Sequence, residues 1–249
     1  MNVYWLEQTE ESVPVHDAWL SLWERNRLQA LRVPKRRADW RLGRWTAKRA
    51  VSQYFGLPDS FAVFSTIEIK PAASGAPEVF VEQEPAPLEL SLSHREGRAV
   101  CAIAGCGSAI GCDLEFVEPR SDAFLADYFT GTEQAFINRD SCEETYRAAA
   151  LLWSAKESAL KALHSGLLLD TRSVTVAVGP LLPIANWLPL RVDYVGGERF
   201  HGWWSSCGKF VRTMVAAPRP GRPISLDLAS ESRAVVRTVT AARMHPEYV

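Results

Sequence analysis

No apolar run in the 249 residues approaches the ~20 that a membrane-spanning helix needs, so no membrane partner is expected. The N-terminal MNVYWLEQTEE lacks the basic, then apolar, then small-residue order of a secretory signal, so a cytoplasmic protein is expected. An excess of basic charge is missing too. Lys and Arg number 28 against 29 Asp and Glu, a net charge of −1. Nucleic acid is therefore not expected as a partner, and any anion site must be built locally. Cysteine is scarce and unpaired: five residues, an odd count, with no C-x-x-C. Cys106 and Cys112 flank an expected hairpin, while Cys101, Cys142 and Cys207 are scattered. That pattern fits reduced structural thiols rather than disulfides or zinc. No internal repeat is visible. Apolar residues are not lacking: at 47% they suffice for a sizeable core.

The patterning predicts a mixed chain. Residues 1–7 read as a strand and 16–31 as a helix. Pro34 opens a second helix that Gly56 closes. Residues 61–70 read as a strand, the Pro/Ala/Gly-rich 71–87 as loop or edge, and 88–93, 98–104 and 109–116 as strands. Short helices follow in SDAFLADYF and TEQAFI. Ser141 with Glu144 suggests a capping box for a long helix to about His164, stopped by Gly166. Residues 173–178, 190–195 and 209–216 read as strands, with Trp203 and Trp204 as strand and core residues. The tail from Pro218 has no assigned place. The expected class is α+β, divided at 1–115, 116–217 and a tail 218–249.

In SAIGCDLEF (108–116), Ile110, Cys112 and Leu114 alternate with Gly111, Asp113 and Glu115. Asp113 and Glu115 thus leave one face of a strand, and two like charges that close call for a cation between them. In LLWSAKESALKAL (151–163), Trp153, Glu157 and Lys161 share one helix face while Leu152, Ala155, Ala159, Leu160 and Leu163 can cover a core. Three carboxylates from a strand and a helix would suit a hard cation such as Mg²⁺, which keeps waters and takes substrate phosphate. Lys161 would face the bridging anion. The alternative is an exposed acidic strand end beside an ordinary Glu157–Lys161 helix pair.

Arg37, Arg41, Arg44 and Lys48 fall within about 60° of one another around the second helix, beside an apolar stripe of Trp40, Ala47, Val51 and Tyr54. A polyanion would relieve their repulsion; a solvated charge stripe is the other reading. Arg27 could join them. Ser93-His94, at a strand end, could donate to phosphate or be plain surface. Together these features describe a ligand with several phosphates and a divalent cation on its diphosphate.

Ser93-His94, then Gly111-x-Asp113-x-Glu115, then Trp153-x-x-Lys156-Glu157-Ser158-x-x-Lys161 resemble the ordered signature of the Sfp-type 4′-phosphopantetheinyl transferases. Glu24-Arg25-x-Arg27 and Gly43-Arg44 match the family's basic N-terminal segment in spacing. The resemblance spans about residues 20–180. It implies a pseudo-two-fold pair of similar α/β sub-domains with the active site in the cleft between them. It implies transfer of the phosphopantetheine arm from coenzyme A to a serine of an acyl or peptidyl carrier protein, releasing 3′,5′-ADP. It implies Mg²⁺ on Asp113, Glu115 and Glu157, and coenzyme contacts from Arg27, Arg44, Ser93, His94 and Lys161. Catalytic roles would fall to Glu157 and Lys161, with Glu133 a rival base or a metal-water anchor. The chain departs from the family at Gly75-Ala76-Pro77, where a lysine is usual; Lys70 or Arg98 could substitute. Phe124, Leu125, Tyr128 and Phe129 could receive a carrier helix or pack inside. A monomer suffices to form such a cleft. Two other classes stay open: a degenerate coenzyme A-binding scaffold, and another metal-dependent phosphoester hydrolase.

Overall fold

The computed structural model describes residues 1–138, 142–165, 169–179 and 186–227. The first half contains β1 (Val3–Thr9), α1 (Leu22–Ala30), α2 (Pro34–Phe55), α3 (Phe61–Thr66), β2 (Ile67–Pro71), β3 (Pro77–Val81), β4 (Glu84–Pro85), β5 (Leu88–Arg95) and β6 (Arg98–Gly105). The second contains β7 (Ala109–Phe116), α4 (Asp122–Tyr128), α5 (Gly131–Ile137), α6 (Cys142–Ala162), β8 (Val174–Val178), β9 (Leu188–Tyr194), β10 (Arg199–Cys207) and β11 (Phe210–Ala217); β12 (Ile224–Ser225) follows. One sheet is ordered β12-β1-β6-β5 and the other β7-β11-β10-β9-β8, with β2-β3-β4 a small third sheet. In each half the opening strand pairs antiparallel with a late one: Leu6 lies opposite Cys101, and Asp113 opposite Thr213.

The long helices follow their sequence signals. Pro34 sits in the first turn of α2, and Gly56 ends it in the left-handed region at φ 66°. The elements expected at 16–31 and 61–70 differ. α1 starts only after Ser21, whose hydroxyl accepts from the Glu24 N–H while the Glu24 carboxylate accepts from the Ser21 N–H. Ser60 caps the short helix α3, which places Phe64 edge-on against Trp45 at 5.2 Å, so the strand starts at Ile67. β7 pairs within the second sheet, so the sheets divide between β6 and β7. The tail returns to the first half, where Ile224 and Ser225 pair in parallel with Tyr4 and Trp5. Ser141 and Gly166, the expected ends of the long helix, lie outside the described residues. No helix among the described residues is long and apolar enough to cross a membrane.

The layers run helix, sheet, sheet, helix. α2 packs Trp45, Ala47 and Val51 onto Leu6 and Ile103. α6 packs Leu151, Ala155 and Ala159 onto Val192 and Trp204. Between the sheets, Val3, Val100 and Ala102 meet Cys112, Leu114 and Met214.

Each long helix also drives one lysine into the core. Lys48 pairs with Glu24 and donates to the carbonyls of Trp19 (3.2 Å) and Phe64 (2.8 Å). Lys156 pairs with Glu133 at 2.9 Å and donates to the carbonyls of Thr171 (2.8 Å) and Val174 (2.6 Å). Both glutamates close capping boxes, Ser21-x-x-Glu24 and Thr130-x-x-Glu133. The second oxygen of each accepts a strand amide, Ile69 N–H (3.3 Å) or Val176 N–H (3.1 Å). Removing one member of such a buried pair costs about 3–5 kcal/mol, because the other is left charged and unpaired.

The crossing of α6 over β7 is set by Gly111. A Cβ there would stand 1.8 Å from the Ser158 carbonyl oxygen and 2.9 Å from the Ala162 amide nitrogen. Close approach lets the Ser158 hydroxyl reach Thr213 Oγ1 at 2.7 Å on β11. We expect Gly111→Ala to destabilise the protein by about 1–3 kcal/mol or more through overpacking. A lowered urea midpoint with an unchanged slope would bear this out; an unaltered midpoint would show that α6 yields freely.

Candidate active site

β7 is an edge strand whose free side faces β5, and side chains close it where backbone pairing does not. The Cys112 N–H donates to Ser91 Oγ at 2.9 Å, and Lys161 Nζ donates to the Cys112 carbonyl at 3.0 Å. Strand alternation sends Cys112 and Leu114 into the layer between the sheets, and Gly111, Asp113 and Glu115 toward α6. Along that stretch of α6, Trp153, Glu157 and Lys161 remain part-exposed while their neighbours are buried. The predicted strand face and helix face therefore meet.

Asp113 is the centre of the contact. Its Oδ1 accepts from Ser93 Oγ and from Lys161 Nζ, each at 2.7 Å. Its Oδ2 is buried and has no hydrogen-bond partner. Glu115 Oε2 accepts from Arg120 at 3.0 Å, and Arg120 also pairs with Glu118 at 3.2 Å. Burial and the charge of Asp113 push the Glu115 carboxyl up to about 7, despite Arg120 and Arg95. Burial, then Asp113, also raises the Glu157 carboxyl, partly offset by Lys161. Burial works most strongly against the Lys161 ammonium, but Asp113, Cys112 and Glu157 together outweigh it and hold the group above its ordinary range.

The spot is thus short of positive charge, and a hard cation fits it: an orphaned carboxylate oxygen is available beside two strained acids. The expected three-carboxylate cage is not assembled. Among the described residues, no three His, Cys, Asp or Glu groups are gathered as metal ligands. The physical reason is visible: Lys161 holds Asp113, Arg120 holds Glu115, and Glu157 joins them through its charge. Three carboxylates converging without a cation would repel. Magnesium often needs only one or two carboxylates plus water and phosphate oxygens.

Beside this acidic spot lies a cleft of about 340 Å³ with walls from both halves. Lys161, Ile110 and His164 form one side; Arg44, Lys70, Ala76 and Ser91 are among the residues of the other. Arg44 stacks over Trp40 at 4.9 Å, and its buried Nε has no hydrogen-bond partner. Burial lowers its guanidinium below the ordinary range; Glu24, 4.0 Å from its Nε, opposes that, and the charge of Arg27, exposed on α1, adds to it.

Other expected residues take different places. Ser93 spends its hydroxyl on Asp113, so it positions that carboxylate instead of lining the cleft. His94, next along β5, is exposed and also outside the cleft lining. The basic stripe of α2 is divided among protein partners. Arg37 donates to the Leu28 carbonyl at 2.6 Å, Arg41 pairs with Asp17 at 3.1 Å, and Lys48 is buried on Glu24. Glu133 is 4% exposed and engaged by Thr130, Val176 and Lys156, which removes it from the acidic spot. Its role was readable in the T-x-x-E spacing of a capping box. Leu125 and Phe129 are buried and Phe124 packs on Trp153, leaving Tyr128 the exposed member of that group. Cys101 and Cys112 are buried free thiols, with Cys112 pushed up to about 11 mainly by burial.

Residues 109–185 match the family model of the 4′-phosphopantetheinyl transferase superfamily, a stretch that contains both β7 and α6. Among solved structures, the chain is similar to a 2.31 Å crystal structure of a holo-(acyl-carrier-protein) synthase from Bacillus anthracis str. Ames in complex with CoA (3′,5′-ADP). Identity is 23%, coverage is 41% of this chain and 92% of that one, and the TM-score is 0.35. A likeness at that level says nothing of a shared activity. No curated protein matches the chain.

The Glu115 carboxyl gives a pH dependence of definite sign. The folded protein keeps that proton up to about 7, whereas the unfolded chain releases it near the ordinary 4.5. Between these values the folded state binds more protons, so this group's stabilisation is complete at low pH and is lost as pH rises toward 7. In chelator, urea midpoints of the wild type should fall relative to Glu115→Gln between pH 5 and pH 8. A constant difference between the two proteins across that range would contradict the assignment.

Proposed function

We propose that the protein is an Sfp-type phosphopantetheinyl transferase that moves the 4′-phosphopantetheine arm of coenzyme A to a serine of an acyl or peptidyl carrier protein, with Mg²⁺, and releases 3′,5′-ADP. The observation that carries this reading is Asp113, with one oxygen shared by Ser93 and Lys161 and the other buried without a partner at the edge of a basic cleft. The match of residues 109–185 to the superfamily model supports it. So does the repetition between the halves, each with a buried Glu–Lys pair under a long helix. We read that repetition as the pseudo-two-fold relation of two similar sub-domains. One chain supplies both cleft walls, which suits a monomer.

In the reaction the serine oxygen forms a bond to the phosphorus that carries the pantetheine arm, and the bond from that phosphorus to 3′,5′-ADP breaks. Asp113 would hold the magnesium ion through its free oxygen, with Glu115 and Glu157 as further ligands once the cation offsets their mutual repulsion, and the ion would supply charge withdrawal from the diphosphate. Lys161 faces both Asp113 and the cleft, so its ammonium can neutralise a diphosphate oxygen as negative charge builds on the leaving group. Arg44, with Arg27 behind it, gives the cleft its attraction for the nucleotide phosphates. Glu157 is part-exposed and its carboxyl is raised by burial, which suits it to take the serine proton directly or through water. Ser93 fixes the direction of Asp113. In this reading His94, two residues past the cleft-lining Leu92 on β5, would meet a phosphate of the bound coenzyme.

The test is to incubate the protein with coenzyme A, Mg²⁺ and apo carrier proteins and weigh the carriers. A mass gain of one phosphopantetheine arm is expected. Asp113→Ala should lower the rate by about a hundredfold or more while the circular dichroism spectrum is retained. Coenzyme binding with no carrier gain would favour a scaffold. Release of 3′,5′-ADP without carrier gain would favour a hydrolase.

A further inference from the structure

Resting on that reading of the acidic spot, we infer that Arg120 is a built-in counter-cation that competes with the metal for Glu115 and withdraws onto Glu118 when the metal binds. This one side chain thereby sets the metal affinity of the site. Arg120 reaches two carboxylates with two different nitrogens. Nη2 lies 3.0 Å from Glu115 Oε2, and Nη1 lies 3.2 Å from Glu118 Oε1. Glu118 is also held from the first half, by Arg95 of β5 at 2.6 Å. A line of alternating charge thus runs from β5 through Glu118 and Arg120 to Glu115. A guanidinium stays charged at any working pH, so Arg120 cannot release Glu115 by losing a proton; it has to move.

An arginine on a metal-binding carboxylate can act in two opposite ways. It can steady the carboxylate from behind, or it can hold the place the metal needs. The surroundings of Arg120 favour the second. Its side chain and that of Glu115 are only 18% and 12% exposed, so little water screens a divalent ion from a guanidinium on the same carboxylate. A second berth is ready. Glu118 already accepts from Arg120 and has acceptor sites to spare, and the Phe124 ring lies 5.1 Å from the guanidinium carbon. The backbone can stay in place while the side chain shifts. Arg120 stands between Pro119 and Ser121, and the Ser121 hydroxyl caps α4 by accepting the Phe124 N–H at 3.2 Å. Phe124 in turn packs on Trp153 at 5.1 Å, on the helix face that carries Glu157. Lys161, the cation on Asp113, also lines the cleft, whereas Arg120 does not, so its charge is left to the carboxylates.

Manganese binding to the full chain tests this, followed through loss of the free-ion electron paramagnetic resonance signal in mildly alkaline, low-salt buffer. Arg120→Gln should bind manganese about 10-fold or more tightly than the wild type. Arg120→Lys, which keeps the positive charge, should gain less. Glu118→Gln should weaken binding, because the guanidinium loses its berth, and should weaken it less when Arg120→Gln is already present. Adding Asp113→Ala to Arg120→Gln should abolish the gain, which places the counted ion at the acidic spot. Weaker binding by Arg120→Gln would mark a supporting residue and overturn the inference, as would unchanged binding. Either result, in a wild-type protein that transfers the arm with Mg²⁺, would leave the proposed function intact. Wild type and Arg120→Gln that bind no manganese and transfer no arm would overturn both.

Discussion

The bond between the Lys161 ammonium and Asp113 depends on an absent side chain. α6 can lie on β7 at this depth because Gly111 puts no atom where the Ser158 carbonyl stands. From that crossing follow the hold of Lys161 on Asp113, the charge of Glu157 acting on Asp113 and Glu115, and the polar knot of Ser158 with Thr213. Ser93 then brings the first half into the same cluster from β5, so one carboxylate receives donors from both halves. The result is a carboxylate with one satisfied oxygen and one bare oxygen, in a region where burial already disfavours negative charge.

Stability and chemistry are assigned to neighbouring residues of the same motif. Lys156 and Glu157 are adjacent in sequence, yet Lys156 turns into the core to meet Glu133 while Glu157 turns toward the acidic spot. The first half repeats the core device with Lys48 and Glu24 but places no comparable acidic cluster over it; there Arg44 faces the cleft. The first half thus brings Arg44 and Lys70 to the cleft and the second half Lys161, whose ammonium is shared with the acidic spot beside it.

Much of this was legible in the chain. Alternation in β7 and the i, i+4, i+8 spacing of Trp153, Glu157 and Lys161 fixed two faces, and those faces meet. Pro34 and Gly56 bounded α2 correctly because both act through local backbone conformation. The basic stripe on α2 misled because helical spacing gives direction and not partners. Arg37 and Arg41 are taken up by carbonyls and Asp17 of a segment that precedes α2, and Lys48 by a capping glutamate. Glu133 was misread as a possible base although its T-x-x-E spacing carried the right signal. The pairing of β12 with β1 joins positions more than 200 residues apart, and no local pattern encodes it.

The central claim is that the bare oxygen of Asp113 is a metal position beside the coenzyme's diphosphate. Crystals grown with 3′,5′-ADP and manganese test it directly. The account predicts an anomalous peak within ligand distance of Asp113 Oδ2, with Lys161 turned to a phosphate oxygen. Nucleotide bound in the cleft with Lys161 still on Asp113, and manganese absent or elsewhere, would contradict it.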